Sequence, residues 1–185
     1  MRIAHEIVEY HTDLSLLYIV AIPNGGVPLG RILVANLHQL GDVEVPLGIL
    51  DTTLYRDDLT RTGKRPRLRK TEMPSSVDER VVILVEDVVS TGRTIRAAMD
   101  ALMDFGRPQA VQVVALVDRG HRELPIKIDY VGKNIPTQLE EKVTLHGEAG
   151  GLDGALRVVV GEVAEGQNSR AADGNLRAEG AGGSL

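Results

Sequence analysis

Residues 81–94 have the sequence VVILVEDVVSTGRT, in which an apolar run, an acidic pair and a small polar turn follow one another. The apolar run at residues 81–85 predicts a strand buried on both faces, as strands of parallel sheets are. Glu86 and Asp87 follow, and a short turn of small residues then leads into a helical pattern. Because α/β sheets bind ligands at the carboxyl ends of their strands, this junction is the first candidate for a binding site.

The rest of the chain repeats this alternation of strand and helix. Short runs rich in Val, Ile and Leu predict further strands at residues 16–22, 43–50 and 110–117. Apolar residues at helical spacing predict a helix over residues 29–40, with Pro28 in its first turn and Gly41 as its stop. A second helix is predicted over residues 95–102, before Gly106. We therefore expect an open, mainly parallel α/β sheet flanked by helices.

Composition narrows the class of protein. With 185 residues, 43% of them hydrophobic, the chain can bury one full core, and we expect one domain at residues 1–160 and a disordered tail at 161–185. The absence of cysteine excludes disulfides and thiolate metal sites. No stretch predicts a membrane span or a secretory signal, so we expect a cytoplasmic protein. The net charge of -5 argues against a uniformly basic nucleic-acid binder but leaves room for a local basic face.

The residues after the 81–85 strand suit a sugar phosphate. A helix N-terminus offers unpaired amides, and Ser90, Thr91 and Thr94 add hydroxyl groups, so a phosphate monoester fits there. Glu86 and Asp87 could accept hydrogen bonds from ribose hydroxyls or help hold Mg²⁺ that a diphosphate brings. The alternative is that Ser90 or Thr91 only caps the helix and that the acidic pair is a solvated strand end.

Several segments carry a resemblance to known proteins. The apolar run, the acidic pair and the turn 90–94 (STGRT) resemble the phosphoribosyl diphosphate signature of type I phosphoribosyltransferases. Within that superfamily the chain resembles the bifunctional pyrimidine operon regulators and uracil phosphoribosyltransferases usually called PyrR. The segments that carry this second resemblance are RIAHEI (2–7), DTTLYRDDL (51–59), DALMDFGRP (100–108), VDRGHRELPI (117–126) and YVGKNIPT (130–137). The resemblance implies a type I phosphoribosyltransferase fold with a small hood.

The resemblance also implies a reaction and the residues for it. Uracil and phosphoribosyl diphosphate, with Mg²⁺, give UMP and diphosphate, and the segment at residues 55–70 closes over the ligand. The implied catalytic residues are Asp57, Asp58, Glu86 and Asp87, of which Glu86 and Asp87 would contact the metal only indirectly, through the diphosphate. The implied phosphate-binding residues are Val88, Ser90, Thr91, Gly92, Arg93 and Thr94. The implied diphosphate loop is Asn24, Gly25 and Gly26, and the implied base-binding hood is Val131, Gly132, Lys133, Asn134 and Ile135.

A second activity is implied on another surface. The family binds the leader messenger RNA of the pyrimidine operon when UMP or UTP is plentiful, and transcription then stops early. The implied RNA-binding residues are Arg2, His5, Arg122, Lys127 and Lys133. Guanidinium and ammonium groups suit phosphates, and arginine planes can stack on unpaired bases. The resemblance further implies a homodimer or a higher homo-oligomer.

The chain departs from the family at the diphosphate loop. Asn24-Gly25-Gly26 stands where the family usually has Thr-Arg-Gly, so this loop lacks a fixed cation. A uridine-nucleotide sensor with weak or no catalysis is therefore an alternative function. A purine-base phosphoribosyltransferase on the same scaffold is the third.

Overall fold

The computed structural model describes residues 1–23, 25–57, 70–147 and 156–162. Its centre is a five-stranded sheet in the order β2-β1-β3-β4-β5, and every neighbouring pair is parallel. The strands are β1 (Leu17–Ala21), β2 (Leu47–Ile49), β3 (Val81–Val89), β4 (Ala110–Asp118) and β5 (Tyr130–Asn134). The predicted parallel α/β architecture is confirmed.

Helices cover both faces of this sheet. They are α1 (Arg2–Tyr10), α2 (Gly26–Gly41) and α3 (Arg93–Leu102). Ile7 of α1 and Leu37 of α2 pack with Ile83 and Val85 on one face, which we call the α2 face. Ile95 of α3 belongs to the cluster on the opposite face, the α3 face. Because β3 is central and buried on both faces, both cores depend on it.

One strand and one helix end at residues that differ from those predicted. β2 is shorter than the predicted strand because Pro46, which has no amide hydrogen, directly precedes it. α2 includes Gly41, and the left-handed residue that ends the helix is Asp42, with φ 48°. Gly41 serves packing instead, because a Cβ there would lie 2.4 Å from Cδ1 of Leu14.

The hood and the tail also differ from expectation. The segment from Val131 to Asn134, predicted to bind the base as part of a hood, lies in β5, the edge strand of the main sheet. A separate two-stranded antiparallel sheet is formed by β6 (Glu141–Gly147) and β7 (Leu156–Glu162). The predicted tail boundary at residue 161 therefore falls inside β7, while residues 163–185 lie outside the described part of the chain. None of the described helices has the length and apolar character that crossing a membrane requires.

Candidate functional site

The acidic pair lies within a strand and not at its end. β3 continues to Val89, because Glu86 is in register with Ala115 of β4 and Val88 with Val117. Successive side chains of a strand point to opposite faces, so the two carboxylates separate. Glu86 lies on the α3 face and Asp87 lies on the α2 face. The site therefore offers one carboxyl group on each side of the sheet.

The carboxyl group of Glu86 is buried and has a raised pKa. Its Oε2 atom is buried and has no hydrogen-bond partner among the described residues. Burial, with the charge of Asp87 as a second cause, raises the pKa of Glu86 to about 8, although the nearby charge of Arg56 acts in the opposite direction. A carboxyl group that keeps its proton near neutral pH can donate a hydrogen bond as well as accept one.

Asp87 lies against the loop that precedes α2. A Cβ added to Gly25 would be 2.1 Å from Oδ2 of Asp87, and one added to Gly26 would be 2.4 Å from the carbonyl oxygen of Val85. Only glycine fits at either position, so the main chain of this loop approaches the carboxylate closely. Asn24, the first residue of the predicted diphosphate loop, lies outside the described residues.

The turn after β3 leaves the start of α3 uncapped. The N-cap residue is Gly92, with φ 89°, and no side chain caps the helix. The amide of Arg93 donates a long hydrogen bond of 3.3 Å to Oγ1 of Thr91, which is the nearest approach to a cap. The alternative that Ser90 or Thr91 serves as the N-cap is wrong, because Gly92 occupies that position. An uncapped helix start with a glycine turn is suited to an anion.

A second loop is bonded to this turn. It comprises residues 119–126, which follow β4, and we call it the 119–126 loop. The amides of Glu123 and Leu124 donate hydrogen bonds of 3.0 and 3.3 Å to the carbonyl oxygen of Thr91. The Nη1 atom of Arg122 donates one of 2.6 Å to the carbonyl oxygen of Ser90. The phosphate-binding turn and the 119–126 loop therefore form one hydrogen-bonded unit.

Arg122 makes most of its contacts inside this unit. Besides Ser90 it donates to Oδ2 of Asp118 at 2.6 Å and to the carbonyl oxygen of Ile126 at 3.2 Å, and its side chain is only 23% exposed. By contrast, the side chain of Lys127 is 86% exposed. The predicted RNA-binding set thus contains one arginine that is held largely by the protein itself.

Arg93 joins the turn to a third segment. Its Nη1 atom lies 2.9 Å from Oδ2 of Asp57, and its Nε donates to Oε2 of Glu123 at 2.7 Å. Arg96 also lies 3.8 Å from Asp57 and donates to the carbonyl oxygen of Tyr55 at 3.3 Å. Residues 55–57 are therefore fixed on α3. Asp58, the second predicted catalytic aspartate of this segment, lies outside the described residues.

The remaining predicted residues lie on α1 and around β5. Arg2 donates to the carbonyl oxygens of Val131 and Gly132, each at 2.6 Å, and pairs with Glu6. His5 follows one turn later on α1, and its Nδ1 is 3.2 Å from the carbonyl oxygen of Met1. Lys133 is exposed on β5. Arg2 is therefore in direct contact with the predicted base-binding strand.

Three residues of the site were not predicted. Arg56 lies near Glu86, Glu123 holds Arg93, and Asp118 holds Arg122. Arg56 stands in the quoted DTTLYRDDL segment, so its neighbours gave a signal for it. Glu123 and Asp118 gave none, because their roles depend on contacts with other segments.

Comparisons with known proteins agree with this geometry. Residues 1–146 match the model of the phosphoribosyl transferase domain family. A protein of Pelotomaculum thermopropionicum named "Bifunctional protein PyrR" is 51% identical over 164 residues, which are 89% of this chain and 90% of the relative. One of the same name from Deinococcus radiodurans is 54% identical over 142 residues, 77% of this chain and 78% of the relative.

Solved structures of similar fold include hypoxanthine phosphoribosyltransferases. One from Trypanosoma cruzi has a TM-score of 0.60 at 24% identity, over 82% of this chain and 79% of that one. A hypoxanthine-guanine enzyme from Bacillus anthracis has a TM-score of 0.57 at 22% identity, over 73% and 76% of the two chains. At this identity the likeness concerns the fold alone.

Proposed function

Since the chain belongs to the phosphoribosyl transferase family and within it to the bifunctional PyrR proteins, we propose that it has two activities. It transfers the phosphoribosyl group to uracil, and it binds the leader RNA of a pyrimidine operon in response to UMP or UTP. We place it in the cytoplasm, where such an attenuator meets nascent transcripts. The observation that carries the combined function is the hydrogen-bonded unit of the phosphate-binding turn and the 119–126 loop.

The transferase reaction exchanges one bond at the anomeric carbon. The bond from C1′ of phosphoribosyl diphosphate to the diphosphate oxygen breaks, and diphosphate leaves with the electron pair. A bond forms between C1′ and N1 of uracil, and the N1 proton is released. Positive charge develops on the sugar in between, so catalysis depends on positioning and on charge.

Different residues bind the 5′-phosphate, the ribose, the diphosphate and the base. The amides at Gly92 and Arg93, with the hydroxyl groups of the turn, bind the 5′-phosphate. Glu86 and Asp87 hold the ribose hydroxyls, Glu86 as a donor when it is protonated. The main chain at Gly25 and Gly26, which lies close to Asp87, offers its amides to the diphosphate. β5 borders the base.

A magnesium ion fits this arrangement as part of the substrate. Among the described residues no group of three His, Asp or Glu side chains could hold a metal by itself. Asp87, which lies beside the Gly25-Gly26 loop, fits a Mg²⁺ that arrives bound to diphosphate, because its carboxylate would accept hydrogen bonds from the water shell of the ion. Glu86 would join it only in its ionised form. When bound, the ion neutralises charge on the leaving diphosphate.

We propose that two neighbouring parts of the structure bind the RNA. Arg2 on α1 contacts β5, which carries Lys133, and His5 follows one turn later on α1. Arg122 and Lys127 lie after β4. Because Arg122 is bonded to the turn that binds the nucleotide phosphate, nucleotide occupancy would steady the 119–126 loop. Through this loop, the binding of UMP would change the affinity of the protein for RNA. We also propose that the protein associates into a homodimer or a higher homo-oligomer.

A test of both activities uses the wild-type protein and Asp87→Asn. We expect UMP formation from uracil and phosphoribosyl diphosphate with Mg²⁺, and a loss of about tenfold or more in Asp87→Asn. We expect UMP to tighten binding of a pyrimidine-operon leader transcript. If the wild type makes no UMP but still binds RNA in a UMP-dependent manner, the protein is the sensor without catalysis that the Asn24-Gly25-Gly26 loop favours. If neither occurs, the proposed function is wrong.

Base competition tests the remaining alternative. The hypoxanthine enzymes resemble the chain in fold only, so they carry no argument for a purine substrate. When the three bases are mixed, uracil should therefore accept the phosphoribosyl group, and hypoxanthine and guanine should not reduce the formation of UMP. Preferential use of a purine would replace uracil in the proposed reaction.

A further inference from the structure

We propose that helix α1 is the element through which the base of the nucleotide, as distinct from its phosphate, changes the affinity of the protein for RNA. Polar contacts at both ends of α1 hold it on β5, the strand that borders the base in the proposed function. This inference rests on that proposed function and names a further part of its regulation. The phosphate affects the 119–126 loop, and the base affects α1.

The first contact lies at the amino end of α1. Nη2 of Arg2 donates hydrogen bonds of 2.6 Å to the carbonyl oxygens of Val131 and Gly132, in the segment predicted to bind the base. Nη1 of Arg2 pairs with Glu6, one turn further along the same helix, and this pair fixes the guanidinium between α1 and β5. Because a guanidinium has five N–H groups, Arg2 keeps donors for an RNA phosphate while it remains bonded to β5.

The second contact lies at the carboxyl end of α1. His11 directly follows the helix, and its Nε2 lies 2.9 Å from Oε1 of Gln112 in β4. The same oxygen accepts a hydrogen bond of 3.1 Å from the hydroxyl group of Tyr130, the first residue of β5. Tyr130 is buried, and its Oη also lies 3.3 Å from Nε2 of His11. Gln112 therefore joins the end of α1 to the start of β5 through one shared acceptor.

Between these two contacts the packing of α1 is uneven. Ile7 is fully buried in the core of the α2 face, together with Tyr130. The first turn of α1 instead covers a cavity of about 270 Å³, whose lining includes Ile3 and Gly132. Because protein interiors are otherwise close-packed, a helix turn above a cavity shifts more easily than one in a filled core. The position of Arg2 is therefore set by its hydrogen bonds to β5 more than by packing.

A base on β5 changes the state of these contacts. β5 is the last strand of the main sheet, and its main chain at Gly132 lies so close to β4 that an added Cβ would be 2.4 Å from the carbonyl oxygen of Leu116. A base bound at residues 131–135 orders this main chain, and the two carbonyl oxygens that hold Arg2 are ordered with it. An arginine that is already held loses less entropy when it binds RNA, so the base raises the affinity for RNA.

The competing role for α1 is support of the fold alone. If α1 only stabilised the sheet, loosening it would weaken the effects of all nucleotide ligands to the same extent. Loosening a helix that responds to the base removes the effect of the base and leaves the effect of the phosphate. UMP and ribose 5-phosphate separate the two roles, because they share the 5′-phosphate and only UMP carries a base.

The experiment uses the full chain and a labelled pyrimidine-operon leader transcript, with UMP or ribose 5-phosphate as the ligand. In the wild type we expect UMP to tighten RNA binding about fivefold more than ribose 5-phosphate does. Gln112→Leu removes the acceptor that joins α1 to β5, and Gln112 belongs to neither proposed binding set. In this variant the advantage of UMP should fall below about twofold, while the effect of ribose 5-phosphate should stay as in the wild type.

The control is Gln109→Leu, the same change at an exposed glutamine just before β4. It should leave the effects of both ligands at their wild-type values. If Gln112→Leu keeps the full advantage of UMP, or loses the effect of ribose 5-phosphate to the same extent, the inference is overturned. It is also overturned if UMP and ribose 5-phosphate act equally on RNA binding by the wild type.

Should Gln112→Leu fail to fold, Arg2→Ala decides by calorimetry without RNA. The affinity for UMP should then fall by about twofold to tenfold relative to the affinity for ribose 5-phosphate, because β5 loses its two hydrogen bonds from α1. An unchanged ratio of the two affinities overturns the inference. A wild type that binds neither UMP nor RNA would instead remove the proposed function.

Discussion

Arg93 donates a hydrogen bond of 2.7 Å from Nε to Oε2 of Glu123, and this ion pair joins the turn before α3 to the 119–126 loop. The same loop carries Arg122, which the RNA proposal requires. Glu123 therefore stands between the two ligands without belonging to either binding set. Its replacement should affect how the ligands influence each other.

The first prediction concerns this coupling. In Glu123→Gln the factor by which UMP tightens RNA binding should fall by about twofold to fivefold, the range expected for a half-exposed ion pair. Titration of labelled leader RNA with and without UMP measures the factor. Linkage requires RNA to change UMP affinity by the same factor, so both directions should be measured. Glu140→Gln, in the exposed turn before β6, is the control, and an undiminished factor in Glu123→Gln would contradict the prediction.

A second prediction tests whether Arg122 stabilises the fold in addition to contacting RNA. Arg122→Ala leaves the carboxylate of Asp118 and two carbonyl oxygens without their donor, so the free energy of unfolding should fall by about 1–3 kcal/mol. Lys127→Ala, at a highly exposed lysine, should cost less than about 0.5 kcal/mol. Urea unfolding measures both. Equal stability of the two variants would mean that Arg122 is an ordinary surface cation.

A third prediction tests the turn itself. Gly92→Ala forces a left-handed residue at φ 89° and places a Cβ 3.0 Å from Cγ1 of Ile126. Gly120→Ala, at φ 77°, introduces the same backbone strain with no atom within 4 Å. Each should lose about 1–2 kcal/mol of unfolding free energy from strain, and Gly92→Ala should lose more and also bind UMP more weakly. Thermal unfolding and UMP calorimetry are the measurements, and identical behaviour of the pair would argue against a close turn at Ile126.

The fourth prediction follows from the raised pKa of Glu86. The folded protein keeps a proton on this carboxyl group up to about pH 8, whereas the unfolded chain releases it near pH 4.5. The unfolded state therefore binds fewer protons in this window, and stability without ligand should fall as the pH rises from 4.5 to about 8. Glu86→Gln should flatten that part of the curve, while Glu9→Gln, on the exposed side of α1, should not. Parallel curves for the wild type and Glu86→Gln would show that the carboxyl group is ionised throughout.

The parts of the fold that were predicted depend on local patterns. The strand at 81–85 and the helix after the turn were found because buried strands and amphipathic helices have their own periodicities. The turn at Ser90, Thr91 and Gly92 was found because an anion site needs small residues before a helix. Each of these features is encoded by residues that follow one another in the sequence.

The parts that were missed depend on distant partners. α1 was not predicted as a helix, although Ala4 and Ile7 bury one of its sides. The separation of Glu86 and Asp87 followed only once β3 was found to continue through its pairing with β4. Arg122 was predicted only as an RNA-binding residue, and its structural role was missed because its acceptor at Ser90 is 32 residues away. No local pattern reports contacts of that length.

The central position of β3 has a consequence for synthesis of the protein. Its neighbours are β1, made earlier, and β4, which ends at Asp118. A nascent chain that has not yet exposed β4 would present the strand bearing the acidic pair as a sheet edge, with unpaired amides open to other chains. The site therefore assembles late, and ribosomal pausing before β4 would prolong the period in which the chain is exposed to aggregation.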